Sequence, residues 1–132
     1  MLAHYEAALR IKPNYPEAHN SLGVFFARIP GRQADAILHL EAAVRSKPDY
    51  AEAYNNLGLV LVRQTGRAGD ALEDFEAAIR INPNFATAHF NLGMTLRQIP
   101  GRQEEAAAHF ATALKINPNF DAARIQLQQL TL

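Results

Sequence analysis

The sequence predicts an all-α protein, an array of antiparallel helix pairs. Residue identities recur at a fixed step of 35, as in Pro13, Pro48, Pro83 and Pro118. The glycine series Gly23, Gly58, Gly93 and Gly31, Gly66, Gly101 keep that step, and so do Leu22, Leu57, Leu92 and Leu127. Within each unit two segments carry apolar residues at three- and four-residue spacing, the period of a helix with one buried face. A unit of this size cannot bury its apolar face alone, so successive copies must stack.

Met1 aligns with Ala36, Tyr5 with Leu40 and Ala8 with Ala43. Residues 1–15 therefore read as a half repeat, the second helix of a pair, and the chain as a fragment of a longer protein. Residues 16–50, 51–85 and 86–120 read as three full repeats, and 121–132 as a closing helix. That last helix is in the register of a first helix but places Gln126 and Gln128 where Asn91 and Gly93 stand. Eight helices are expected in all. In the middle unit Ala53, Tyr54, Leu57 and Leu61 mark the first helix, and Ala71, Leu72, Phe75, Ala78 and Ile79 the second. Asn14 with Glu17, and Asp49 with Glu52, are spaced like a capping box, which predicts side-chain caps where first helices start near Tyr15 and Tyr50. Gly31, Gly66 and Gly101 end the first helices, because glycine takes a left-handed conformation without a Cβ clash. Gly23, Gly58 and Gly93 lie mid-helix at a cost of about 1 kcal/mol each, which close approach of the second helix must offset. Ala36, Ala71, Ala106 and Ala43, Ala78, Ala113 read as the complementary small residues, and Leu40, Phe75 and Phe110 as filling the space between helix pairs.

The chain has 13 basic and 13 acidic residues, 48% hydrophobic residues and no cysteine. Zero net charge argues against nucleic acid as a partner. The absence of cysteine excludes disulfides and thiol chemistry. No apolar stretch approaches a membrane span, and the opening residues are unlike a signal peptide, so the segment reads as soluble, with compartment unknown and the cytoplasm favoured. No phosphate loop, nucleophile elbow or metalloprotease helix is present, so no enzyme, no cofactor and no metal are expected. His19 and His89 read as partly buried spacers equivalent to Tyr54. His4, His39 and His109 share another register but belong to different repeats, too far from one another for ligation.

His19-x2-Leu22-Gly23-x2-Phe26 followed by Ala36-x3-Leu40 and Pro48 resembles the tetratricopeptide signature. Tyr54-x2-Leu57-Gly58-x2-Leu61 with Ala71, Phe75 and Pro83, and His89-x2-Leu92-Gly93-x2-Leu96 with Ala106, Phe110 and Pro118, repeat it. Histidine or tyrosine replaces the usual tryptophan, and the unit holds one residue more than usual. The resemblance implies a right-handed superhelix whose first helices line a groove holding an extended peptide or a helix of a partner protein. Carried over by register, the lining is Asn20, Val24, Asn55, Leu59, Phe90, Met94 and Ile125, with Ser21, Asn56 and Asn91 continuing one lane. The asparagines resemble a ladder in the repeats of O-linked N-acetylglucosamine transferase. A side-chain amide both donates and accepts, so such a ladder can read a peptide backbone or serve helix packing. The places where chaperone-binding relatives present basic residues to a terminal carboxylate hold Asn20, Thr87 and Asn91, so such tails are not expected partners.

Arg28, Arg63 and Arg97 near first-helix ends, with Arg32, Arg67 and Arg102 in the turns, form a possible basic edge for acidic partners, or simply complement the helix dipole. Two alternatives stand beside the groove. One is head-to-tail self-assembly, the open half repeat of one copy packing on the closing helix of another. The other is a regulatory or docking segment of a larger enzyme or membrane protein.

Overall fold

A computed structural model describes residues 2–132. Among these residues the chain is entirely helical: α1 (Leu2–Ile11), α2 (Pro16–Ala27), α3 (Gln33–Ser46), α4 (Ala51–Leu61), α5 (Ala68–Ile81), α6 (Ala86–Leu96), α7 (Gln103–Ile116) and α8 (Asp121–Leu130). The largest packing surfaces join α2 to α3, α4 to α5 and α6 to α7. Smaller ones join each second helix to the next first helix, and α2 also touches α4. No described helix is long and apolar enough to cross a membrane.

The mid-helix glycines explain how closely the pairs approach. A Cβ on Gly58 would lie 2.6 Å from Cε1 of Phe75, and one on Gly93 would lie 2.8 Å from Cε1 of Phe110. At Gly23 it would run into Leu40. Phe75, Phe110 and Leu40 are fully buried, with Ala36, Ala43, Ala71, Ala78, Ala106 and Ala113. Small residues on one helix thus admit one large side chain from the other, which fills the core at interior density.

The turns hold one agreement and one correction. Gly31, Gly66 and Gly101 have φ of +85°, +78° and +84°, the left-handed conformation their spacing predicts. The Gly31 and Gly101 amides donate to Oε1 of Gln33 and Gln103, at 3.1 and 3.2 Å. The capping boxes do not form: the N-caps are Tyr15, Tyr50, Phe85 and Phe120, without side-chain cap hydrogen bonds. The reason is the proline two residues before each aromatic. The Tyr50 amide donates to the Lys47 carbonyl at 3.1 Å and that of Phe85 to Asn82 at 3.1 Å, closing turns with proline second and Asp49 or Asn84 third. Residues at that third position sit one place too early to cap the helix.

Candidate binding groove on the first helices

Three hollows lie along the first-helix face and share residues end to end. The first, about 280 Å³, is lined by Asn20, Ser21, Val24 and Arg28 with Leu2, Tyr5 and Phe25 of α1 and α2. Val24 and Arg28 also border the second, about 210 Å³, together with Asn56, Leu59 and Arg63. Leu59 continues into the third, about 270 Å³, which Asn91, Met94, Thr95 and Ile99 complete. Most of the residues assigned by register therefore share one track. Asn55, Phe90, Arg97 and Ile125 do not border these hollows. Asn55 is buried, and Phe90 packs between Phe110 and Phe120 with ring centroids 5.7 and 4.9 Å away. Ile125 is exposed on α8.

The asparagines bond to each other across repeats. Nδ2 of Asn56 donates to Oδ1 of Asn20 at 3.0 Å, and Nδ2 of Asn91 donates to Oδ1 of Asn55 at 2.9 Å. Asn20, Asn55 and Asn91 are buried, so each bond satisfies amide groups that would otherwise be stranded. Asn56 is half-buried at the edge of the second hollow. The series breaks at Phe90, which has no amide to offer, and Oε1 of Gln126 in the next register is buried without a partner.

The histidines form a constellation that comparing one register at a time does not reveal. Nδ1 of His19 lies 3.1 Å from Nδ1 of His39, and the same 3.1 Å separates His89 from His109. Nε2 of His19 and of His89 face the carbonyls of Pro13 and Pro83 at 2.8 and 3.0 Å, and since a carbonyl only accepts, those nitrogens carry the hydrogen. Nδ1 of His19 and His89 is then the acceptor, and His39 and His109 donate. Each pair clips a second helix to its first. Burial lowers the His39 pKa, with His19 adding to the effect and Asp35 and Glu6 opposing it. Burial also lowers that of His109, helped by His89 and opposed by Glu105. In the middle repeat the two registers hold Tyr54 and Asp74. The Asp74 carboxyl is pushed up to about 7 by burial and by Glu73, Asp70 and Glu41, against the pull of Arg67. No group of three or more metal-ligating side chains comes together among the described residues.

A family model described as tetratricopeptide repeat matches residues 49–119, more than half of the chain. The chain belongs to the tetratricopeptide repeat family. A second model, described as TPR repeat, matches residues 28–65. No curated protein matches the sequence significantly. Among solved structures the array is similar to MamA, with 26% identity over 98% of this chain and 74% of that one and a TM-score of 0.86. It is similar to the O-GlcNAc transferase of Thermobaculum terrenum, with 25% identity over 87% of this chain but only 22% of that one and a TM-score of 0.76. It shares its fold with the first TPR of Spaghetti (RPAP3), which is bound to an HSP90 peptide, at 19% identity, 88% and 92% coverage and a TM-score of 0.80. Tetratricopeptide arrays are typically non-catalytic scaffolds, and the similarity to the transferase covers about a fifth of that protein.

Proposed function

We propose that this tetratricopeptide array is a protein-interaction scaffold that holds an extended peptide or a helix of a partner along its first-helix face. The observation that carries this reading is the run of three hollows sharing Val24, Arg28 and Leu59. Together they offer an apolar floor with a few polar groups, the usual composition of a site that both attracts and orients. Asn56 fits both roles left open by its residue type. Its amide holds Asn20, and among the described residues its carbonyl has no hydrogen-bond partner, which leaves it free for a peptide N–H.

Self-assembly through α1 of a second copy is the competing reading, and Gln128 counts against it. It stands in the register of Gly93, where even a methyl group would meet the opposing ring at 2.8 Å. A second-copy α1 would bring Tyr5 toward that glutamine.

The test is selection from a displayed library of linear peptides, followed by titration of enriched sequences. Micromolar binding that Leu59→Lys removes, and that Leu38→Lys outside the hollows leaves intact, is expected. Enriched peptides indifferent to Leu59→Lys, or no enrichment at all, would sink the groove reading.

A further inference from the structure

The arginines of the array fall into two rows with different surroundings. Arg32, Arg67 and Arg102 in the turns each pair with an acid three residues on, Asp35, Asp70 and Glu105. Arg28, Arg63 and Arg97 at the first-helix ends have no carboxylate partner among the described residues. Arg97 reaches only the amide oxygen of Gln129, at 3.4 Å. Arg28 borders two of the hollows and Arg63 one, and no carboxylate lines any of the three.

The acids on the same helices, Glu17 and Glu52, sit in the first turns. At 1.5 Å per residue that is roughly 15 Å from the arginines, beyond a Debye length of about 8 Å at physiological salt. The helix ends offset part of the positive charge: three C-termini carry roughly −1.5 in total, leaving roughly +1.5 along one rim. The neutral sum of 13 basic and 13 acidic residues conceals this segregation.

Resting on the groove reading, we infer that the occupant is a partner segment with acidic side chains facing Arg28 and Arg63, the two arginines that border the hollows, and apolar ones over Val24, Leu59 and Met94. The spacing follows from geometry. Packed helices lie about 8–10 Å apart, and α2 packs directly on α4. An extended chain advances about 3.3 Å per residue, so the two acids stand about three positions apart.

The experiment uses a fluorescein-labelled short peptide repeating Glu-Val-Pro, its Gln and Lys counterparts, and a single-stranded oligonucleotide of matched charge, titrated by anisotropy. The Glu peptide binds, raised salt weakens it, and the Gln and Lys peptides bind at least about fivefold less tightly. Arg63→Glu and the milder Arg63→Gln both weaken the Glu peptide, whereas Arg67→Glu in the turn does not. Circular dichroism melts establish that each variant is folded. Equal binding of Glu and Gln peptides overturns the acidic inference while leaving the groove reading intact, since selected library peptides still depend on Leu59. Failure of the Glu peptide to bind overturns it too. If the oligonucleotide binds as tightly and with the same dependence on Arg63, the rim is a general polyanion surface and the peptide assignment falls.

Discussion

Gly58→Ala adds one methyl group where three carbons of the Phe75 ring stand between 2.6 and 2.9 Å away. That ring is fully buried, so it cannot swing aside without displacing neighbours. An extra methyl group in a packed core costs about 1–3 kcal/mol. Because the clash is with a rigid ring edge, the upper half of that range applies. Alanine restores about 1 kcal/mol of helix propensity over glycine, which leaves a net loss of about 1–2 kcal/mol. For a chain of this size each kcal/mol lowers Tm by roughly 3–5 °C. Urea unfolding followed by circular dichroism measures the loss directly. A double-mutant cycle then isolates its cause. Phe75→Ala alone costs about 3–5 kcal/mol, but less in the Gly58→Ala background, with a coupling of about 1–2 kcal/mol. If Gly58→Ala instead raises Tm as propensity alone demands, and the cycle shows no coupling, close approach is not why glycine occupies this position.

Gly66→Ala tests conformation alone, because no atom lies within 4 Å of the added Cβ but φ is +78°. It should cost about 1–2 kcal/mol in the same unfolding assay, and an unchanged midpoint would contradict the strain argument. Asn55→Ala and Asn91→Ala should show a coupling of about 1 kcal/mol, because each single variant strands its buried partner. Asp74 has a folded pKa of about 7 against 3.8, so its contribution is fully present below 3.8 and is lost as pH rises through 7. Asp74→Asn should therefore raise Tm at about pH 8 and leave it unchanged near about pH 4; an equal shift at both would refute the protonation account. His39 and His109 have folded pKa values below 6.5, so their contribution is present above 6.5 and is lost as pH falls below it. His39→Phe should flatten the fall in Tm on acidification relative to wild type, and an unaltered slope would rule out the His19–His39 pair as its source.

Much of the architecture was readable because it is written as a period. Pro48 and Gly66 announce a turn and a left-handed residue through restrictions of their own backbone, and Gly58 announces a close approach because a packing contact must offset its cost within a helix. The N-termini misled because Asp49 and Glu52 have capping-box spacing. Pro48 draws Asp49 into a turn first, a competition between two local motifs that spacing alone does not resolve. The asparagine bonds were hidden for another reason. Asn20 meets Asn56 at a separation of 36, one residue more than the repeat, so the pairing depends on how adjacent first helices are rotated. The histidine pairs had a signal, since His19 with His39 and His89 with His109 share a separation of 20 in the first and third repeats. That separation crosses an antiparallel helix pair and becomes visible only when columns within a unit are compared with each other.

Every large packing surface joins helices that follow one another in the chain, and none ties the first repeat to the third. Mechanically the array is a row of joints in series, each shared only by neighbouring helices. A segment lying across all three hollows would touch first and third units that share no large packing surface, and so act as a splint. Occupancy would then be read not only at the surface but in the way the whole row bends and melts, with independent joints moving as one piece.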